Sequence, residues 1–230
     1  MKLLAIETST HLLSVVLMVN DHFIERSEFC AIGGSDRLLP WVEQVLAEAG
    51  LSLQQLDAIA FGAGPGSFTG IRMACGIAQG LAYGADLRVV PVVTLEALAL
   101  ARGPGRMLVC MDARMNEVYH ATYNVTDDDV DVVSAPEVCP PELLPLPSGK
   151  NWKACGDGFA SYGETLMQCI GDSISSVDAN VPALASCVAR LAARQVRIGN
   201  TLSAAQAVPL YVRDKVALTT QERMARGGSK

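Results

Sequence analysis

The sequence of 230 residues contains only three histidines, and this scarcity limits the metal chemistry that it can support. His11, His22 and His120 are far apart, and none has a second histidine four residues away. The chain also lacks an HExxH motif, a Cys/His cluster and a DxDxDG loop. Because zinc and calcium sites are usually built from such sets, we expect no metal site made by this chain.

The cysteines include no CxxC pair. The seven positions are Cys30, Cys75, Cys110, Cys139, Cys155, Cys169 and Cys187. Their number is odd, most lie in apolar segments, and no histidine is near any of them in the sequence. A disulfide framework would need paired cysteines in an oxidising compartment, so we expect reduced, mostly buried thiols in a cytoplasmic protein. A cysteine nucleophile is disfavoured for the same reasons.

Long apolar runs and an excess of basic charge are also missing. The first run, KLLAI, ends at Glu7 and is shorter than the roughly 7–15 residues of a secretory signal. No run reaches the ~18 residues of a membrane span. Eighteen basic residues against 24 acidic ones give a net charge of -6, without an obvious basic stripe. The chain is therefore expected to be cytoplasmic, to avoid membranes, and to approach nucleic acid mainly through another molecule.

Half of the residues (50%) are hydrophobic, and their spacing predicts a repeated order of elements. Strands are predicted at 2–6, 12–19, 22–30, 56–62, 88–93, 106–112, 116–125, 130–134, 152–155 and 174–178. Helices are predicted at about 36–49, 71–83, 94–101, 159–169 and 182–198. Ser35 or Asp36 is expected to cap the first helix, and the proline-rich stretch 136–147 to form an irregular connection.

Each half of the chain thus gives three strands followed by alternating helices and strands. This order predicts an α/β fold of two tandem ribonuclease-H-like domains, the architecture of the actin-like ATPase (ASKHA) superfamily. We place the domains at 1–103 and 104–230, divided by the glycine- and proline-rich turn Arg102–Arg106. The tail after about residue 205 is expected to pack back on the first domain. In this architecture the ligand usually lies in the cleft between the halves.

The strongest local signal is a glycine-rich loop between a predicted strand and a predicted helix. Its candidate binding residues are Gly64, Pro65, Gly66, Ser67, Phe68, Thr69, Gly70 and Arg72. Glycines permit close backbone approach, a helix N-terminus favours an anion, and Arg72 adds a cation. The loop is either a contact for an anion, a nucleotide or a protein, or a tight turn capped by Ser67 or Thr69. It lacks the Gly-Lys-Ser/Thr of a P-loop and the frame of a GxSxG elbow.

The helix after this loop has Gly76, Gly80 and Gly84 on one face. Each interior glycine costs about 1 kcal/mol relative to alanine, so something is expected to approach this face closely. The preceding helix has an apolar arc wider than packing on one sheet requires. We predict a protein interface at Leu39, Trp41, Val42, Leu46, Met73, Gly76, Ile77, Gly80 and Leu81. Ordinary packing of the two helices on one sheet is the alternative.

Three further groups of polar residues have two interpretations each. The turn Glu7-Thr8-Ser9-Thr10 corresponds to the phosphate-holding turn of kinase-like superfamily members, which has an Asp and a Gly, so Glu7 and Ser9 favour a weakened or absent nucleotide site. Asp112-Ala113-Arg114 either faces the cleft or forms a local ion pair. Arg190, Arg194 and Arg197 form either a solvated helix face or a contact for RNA or an acidic partner.

Several segments together resemble the bacterial TsaB (YeaZ) family. They are KLLAIETST, RLLP, AFGAGPGSFTGIRMACGIAQGLA, VVPVVTLEALA, MDARMNEVYHATY and PLYVRDKVA. The match covers both halves of the chain and is densest over residues 1–125. GPGSFTGIR followed by the glycine-alanine helix is the most specific part.

The resemblance implies a non-catalytic subunit that acts with its catalytic paralogue TsaD and the ATPase TsaE. These proteins transfer a threonylcarbamoyl group to N6 of the adenosine next to the anticodon, in tRNAs that read codons starting with A. It implies pairing with TsaD through helices of the first domain, and contact with tRNA only through the complex. We also expect a homodimer in isolation, no cofactor of its own, and a nucleotide only at a shared interface.

The resemblance also bears on a metal site. TsaD holds a metal partly through two histidines in a segment of the form V-N-H-L-E-x-H. Thr94 and Leu98 occupy those two positions here, and neither can replace an imidazole. The alternatives that remain open from the sequence are an ATP-dependent small-molecule kinase of the same superfamily and a metallopeptidase.

Overall fold

The computed structural model describes residues 1–30, 34–127 and 129–213. Eleven strands are assigned in it: β1 Lys2–Glu7, β2 Leu12–Val19, β3 His22–Phe29, β4 Ala58–Gly64, β5 Arg88–Val93, β6 Gly105–Arg114, β7 Glu117–Val125, β8 Val130–Cys139, β9 Trp152–Cys155, β10 Ile174–Asp178 and β11 Leu202–Ser203. Five α-helices accompany them: α1 Ser35–Ala49, α2 Phe68–Ala85, α3 Thr94–Arg102, α4 Gly158–Ile170 and α5 Ala185–Arg197. None of the helices in the described ranges is long and apolar enough to cross a membrane.

The strands form two sheets of the same topology. The first has the order β11-β5-β4-β1-β2-β3, and the second has the order β10-β9-β6-β7-β8. In each half the first three strands are antiparallel neighbours, and the fourth and fifth join beside the first in parallel. The predicted α/β architecture of two ribonuclease-H-like units is therefore confirmed.

The first sheet is covered on both faces because its central strands are apolar at nearly every position. Leu4, Ile6 and Phe61 point to the face under α1 and α2. Leu3 and Ala5 point to the opposite face, where α3 and α5 lie. The same buried cluster on that face also includes residues of β6 and β7, so α3 and α5 are packed between the two sheets. One continuous core joins the halves.

The C-terminal elements return to the first sheet. α5 packs against β1, β2, β4 and β5, and β11 pairs antiparallel with β5 through Leu202 opposite Val89. The return therefore begins earlier than the sequence predicts, at α5 rather than near residue 205. The division of the chain at residues 103 and 104 stays a prediction.

Several element ends differ from expectation. α1 begins after Gly34, which has a left-handed φ of 89°, and neither Ser35 nor Asp36 provides a side-chain cap. α2 begins at Phe68, before the predicted residue 71, because the Ser67 hydroxyl accepts the Gly70 N–H at 3.4 Å. β8 continues to Cys139 through part of the predicted irregular stretch. Pro136 is tolerated there because β8 is an edge strand with an irregular register beside β7.

Candidate functional site

A cleft of about 520 Å³ lies between the two halves, at the predicted position. Its walls include Thr8–His11 from the β1–β2 turn, Pro65–Ile71 from the glycine loop, and Met111–Met115 at the end of β6. Asp157 and the C-terminal segment Leu210–Arg213 also line it, together with Leu13, Cys30, Met73 and Tyr119. The cleft therefore collects the turns at corresponding ends of the two sheets.

The glycine loop packs directly on the β1–β2 turn. A Cβ added to Gly66 would lie 2.5 Å from the Ser9 carbonyl oxygen, and one added to Gly70 would lie 1.9 Å from the Thr8 carbonyl oxygen. Ser67 N donates to the Ser9 carbonyl at 2.8 Å, and the Thr8 hydroxyl donates to the Gly70 carbonyl at 2.7 Å. These glycines are needed for close packing within the chain, and Ser67 caps α2 as one sequence interpretation expected.

The other candidate residues of the loop divide into buried and exposed groups. Gly64 and Pro65 are buried, whereas Ser67, Phe68, Thr69 and Arg72 are exposed. The Arg72 guanidinium lies over the Phe68 ring, 3.5 Å from its centroid, and its Nε donates to the Tyr211 hydroxyl at 2.7 Å. Arg72 is therefore held by aromatic groups at the rim of the cleft. Tyr211 is distant in sequence and was not anticipated.

Glu7 occupies the centre of the first turn and is fully buried. Burial raises the pKa of its carboxyl, although hydrogen bonds from Ser9 and Thr94 oppose the change. Its Oε1 accepts the Ser9 N–H at 2.6 Å, and the Thr94 hydroxyl lies 3.4 Å from its Oε2. The Glu7 carboxylate is thus the hydrogen-bond acceptor for the Ser9 N–H of the turn. The Ser9 N–H is thereby bonded within the chain, and the weakened or absent phosphate site stays a prediction.

The residues that replace the histidines of TsaD do not fit a metal. The Thr94 hydroxyl is buried, 3.0 Å from the Ser9 hydroxyl, and Leu98 is 2% exposed in the core. Within the described ranges, no group of three or more His, Cys, Asp or Glu side chains is placed to hold a metal ion. The residues at these two positions offer no imidazole nitrogen to a metal ion.

The second half contributes two carboxyl groups to the cleft. Asp157 Oδ1 accepts the Asp112 N–H at 2.9 Å, and burial together with the nearby Asp112 raises the pKa of Asp157. Arg114 pairs with Asp112 at 3.2 Å, and its guanidinium lies 3.3 Å from His11 Nε2. The predicted local ion pair is present, and it also faces the cleft. Asp157 was missed because it follows a short strand without a recognised motif.

The cysteines are free thiols. Burial raises the pKa of Cys155 to about 12 and that of Cys187 to about 11. Cys110 is fully buried, and its pKa is raised well above the ordinary value by burial first and by Cys155 and Cys139 second. Because the thiolate is the nucleophile, these sulfurs are poorly suited to nucleophilic catalysis.

The predicted arginine stripe on α5 is partly used within the chain. Arg194 forms an ion pair with Asp129, and Arg190 donates to the Asp127 carbonyl. Arg197, in the last turn of α5, is exposed. Two of the three side chains therefore fasten α5 to the turn between β7 and β8, at the opposite side of the molecule from the glycine loop.

The predicted interface residues lie on α1 and α2, which cover the same face of the first sheet. Leu39 is 49% exposed, and Gly76 and Gly80 are exposed with nothing within 4 Å of a Cβ placed on either. The half-buried members are Trp41, Leu46, Met73, Ile77 and Leu81. We call these eight residues the helix surface. Val42 is 3% exposed and packs in the core, so it is removed from the predicted interface.

Tyr83 extends the helix surface and was missed by the sequence reasoning. It is 81% exposed on α2. It follows Gly76 by seven residues and Gly80 by three, so the three positions share one face of the helix. The spacing of Tyr83 from Gly76 and Gly80 can be seen in the sequence. A tyrosine near a helix end, however, does not by itself indicate whether its side chain is exposed. Gly84 is also open, with nothing within 4 Å of an added Cβ.

Comparison with known proteins gives a consistent assignment. Residues 28–221 match the family model described as TsaD, tRNA N6-adenosine threonylcarbamoyltransferase. The chain is 36% identical to the tRNA threonylcarbamoyladenosine biosynthesis protein TsaB of Haemophilus influenzae, over 93% of this chain and 94% of the relative. It is also 36% identical to TsaB of Escherichia coli K12, over 94% of this chain and 96% of the relative.

A solved structure supports the same grouping. The chain superposes on YeaZ from Pseudomonas aeruginosa with a TM-score of 0.85 and 35% sequence identity, covering 91% of this chain and 99% of the other. The sequence matches extend through both halves, and the fold agrees over nearly the whole of the solved chain. The chain therefore belongs to the TsaB (YeaZ) family of tRNA threonylcarbamoyladenosine biosynthesis proteins.

Proposed function

We propose that this chain is the non-catalytic subunit that works with TsaD and TsaE in tRNA threonylcarbamoyladenosine biosynthesis. In this role it binds and orders TsaD, which transfers the threonylcarbamoyl group to N6 of the adenosine adjacent to the anticodon in tRNAs reading codons starting with A. The family assignment supports the pathway. The acidic balance of the chain, with a net charge of -6, supports tRNA contact mainly through the complex.

The observation that carries the proposal is the open glycine face of α2. Gly76, Gly80 and Gly84 lower the stability of the 18-residue helix α2, yet nothing lies within 4 Å of a Cβ added to any of them. Packing inside the monomer therefore does not account for them. Their spacing instead allows a second backbone to approach α2 closely. Apolar side chains beside them would add burial worth about 25 cal/mol per Å² before association costs are subtracted.

The polar groups of the chain support a role without chemistry of its own. The Glu7 carboxylate is buried and accepts a hydrogen bond from the Ser9 N–H. Thr94 and Leu98 stand at the positions of the two metal-binding histidines of TsaD. We propose that the chain has no cofactor and meets nucleotide only at an interface shared with a partner. No observation favours the kinase or metallopeptidase alternatives.

The proposal is tested by co-purification with TsaD and a tRNA modification assay with and without this chain. We expect stable association and loss of modification when the chain is omitted. Threonylcarbamoyl transfer by the chain alone, or full modification without it, would contradict the proposal. Calorimetry with ATP on the isolated chain should show no tight binding.

Placement of the interface is tested by Gly80→Arg on α2, with Gly163→Arg on α4 as its matched control. Both glycines lie in helices, and nothing lies within 4 Å of a Cβ added to either. Because only Gly80 lies on the helix surface, Gly80→Arg should weaken TsaD binding at least about tenfold, whereas Gly163→Arg should leave it unchanged. Equal affinities for the two variants would place the interface elsewhere.

We further propose that the isolated chain forms a homodimer through the helix surface and that it is cytoplasmic. A surface with Leu39 at 49% and Tyr83 at 81% exposure gains from pairing when the natural partner is missing. Sedimentation of the isolated chain should show a dimer, and Gly80→Arg should shift it to monomer. A dimer that survives this substitution would have to use another surface.

A further inference from the structure

The C-terminal segment Leu210–Arg213 runs along the cleft and is anchored on the first half. Leu210 N donates to the Ala63 carbonyl at 2.8 Å, next to the start of the glycine loop. The Tyr211 hydroxyl accepts from Arg72 Nε at 2.7 Å, and its ring centroid is 6.2 Å from that of Phe68. One end of the segment is therefore fixed to β4 and α2. We call residues 210–213 the strap.

The other end of the strap reaches the second half. Arg213 donates from Nη2 to the carbonyls of Ala113 at 3.0 Å and Arg114 at 3.4 Å. The same guanidinium forms an ion pair with Glu117, and the Arg213 side chain is only 14% exposed. Its Cζ is also 5.8 Å from the centroid of the Tyr119 ring. A partly buried ion pair with several hydrogen bonds is more stabilising than an exposed pair.

The part of the second half that Arg213 contacts is a strained hairpin. Arg114, Met115 and Asn116, at the β6–β7 turn, have φ values of 59°, 58° and 57°. Side chains other than glycine rarely adopt this left-handed region, and each such residue costs about 1 kcal/mol or more. Arg213 binds two carbonyls at the start of this turn. Its guanidinium therefore favours the conformation that the local sequence alone disfavours.

The two sheets are also joined away from the cleft, because Arg194 of α5, the helix that packs on the first sheet, pairs with Asp129 just before β8 of the second sheet. Because that contact and the shared core hold the two sheets together, the halves could separate only at the mouth of the cleft. Opening the mouth would break the contacts of Arg213, because its backbone is anchored to the first half through Leu210 and Tyr211. The strap is thus placed to control the separation of the halves at the glycine loop.

We propose that the strap is a latch that holds the cleft at a fixed width, with Arg213 fastening the β6–β7 hairpin to the first half. The space between the halves is lined by this segment of the protein itself. The latch would act in the isolated chain, without a partner.

Hydrogen exchange of the full chain, followed peptide by peptide, tests the latch. Arg213→Gln should accelerate exchange of amides at residues 112–118 by about tenfold, while the central strands of both sheets remain protected. Tyr211→Phe removes only the hydrogen bond from Arg72 and should give a smaller change at the same hairpin. Arg197→Gln, at an exposed arginine of α5, is the charge-matched control and should resemble the unmodified chain.

Chemical labelling of a cysteine in the cleft provides a second measurement of cleft opening. Cys30 lines the cleft and is half-buried, whereas the half-buried Cys169 lies on α4 outside it. N-ethylmaleimide should modify Cys30 several-fold faster in Arg213→Gln than in the unmodified chain, with Cys169 unchanged. Hairpin exchange and Cys30 labelling within twofold of the unmodified chain would overturn the proposal. Equal acceleration in every peptide would also overturn it, because Arg213 would then support global stability rather than the cleft.

Discussion

Glu96 on α3 shows how a single residue makes stability depend on pH. Burial, and secondarily the nearby Asp129, raises its pKa from 4.5 to about 7. The folded state therefore binds a proton more tightly than the unfolded state, so the free energy of unfolding falls as pH rises between these values. Above about pH 7 the charged carboxylate remains a constant cost of about 3 kcal/mol.

Glu96→Gln should remove this part of the pH dependence. Relative to the unmodified chain, the variant should gain stability progressively as pH rises from 4.5 to about 7 and then keep that advantage. Urea unfolding of both proteins at several pH values measures the difference. A constant difference between the two curves over this range would show that Glu96 titrates normally in the folded state.

Some glycines of α2 and its preceding loop permit close packing within the chain, whereas others face open space. Substitution by alanine distinguishes the two groups. At Gly70 a Cβ would lie 1.9 Å from the Thr8 carbonyl oxygen, so Gly70→Ala should cost about 2–3 kcal/mol. At Gly80 the space is open, so Gly80→Ala should add about 0.5–1 kcal/mol through helix propensity. Chemical denaturation at concentrations where the chain is monomeric measures both changes.

The two substitutions are expected to change the free energy of unfolding in opposite directions, and each direction tests one contact. If Gly80→Ala destabilised the monomer, the α2 face would have to be packed within the chain. If Gly70→Ala were neutral, the glycine loop would not be held against the β1–β2 turn. Gly76→Ala provides a second open position and should behave like Gly80→Ala.

At the residue scale, the sequence predicted the groups that local patterns identify and missed those defined by long-range contacts. Ser67 was expected as a cap because hydroxyl residues before a helix have this role. Gly66 and Gly70 were recognised as permitting close approach, but their neighbour could not be named. Tyr211 and Arg213 could not have been assigned to the cleft, since their partners are about a hundred or more positions away in the chain.

At the scale of elements, strand and helix types followed from apolar spacing, whereas their ends depended on contacts. The three strands that open each half were readable as tight hairpins of apolar residues. The extension of β8 past Pro136 was not, because a proline near a strand end usually marks irregular structure. It is allowed here by the position of β8 at the sheet edge, which only the folded topology shows.

The first sheet is covered and extended by elements from the last third of the chain, so the first half of the sequence does not form this sheet alone. α5 covers the face of the first sheet formed by residues such as Leu3, Ala5 and Val16, and β11 extends that sheet beside β5. No local pattern shows which sheet a late helix will cover, because both faces offer apolar residues. The predicted boundary at residue 103 therefore leaves one face of the first sheet to be covered by α5 from beyond that boundary.

A fragment of residues 1–103 should accordingly fail to fold by itself. Without α5, the apolar face with Leu3 and Ala5 would be exposed to water, at about 25 cal/mol per Å². We expect the fragment to show no cooperative urea transition, unlike the full chain. Circular dichroism during urea titration checks this, and a cooperative transition for the fragment would show that the first half folds independently.

The shared strand order of the two sheets extends to the loops that follow corresponding strands. In each unit, glycines after the fourth strand let the chain pack against a backbone carbonyl oxygen. Gly156 and Gly158, after the strand β9, would place a Cβ 2.3 Å and 2.9 Å from the Cys110 carbonyl oxygen. They meet β6 much as Gly66 and Gly70 meet the turn after β1. A close contact between a glycine and a carbonyl oxygen therefore holds the fourth strand's loop against the first strand's side of the sheet in both units, although the surrounding side chains differ.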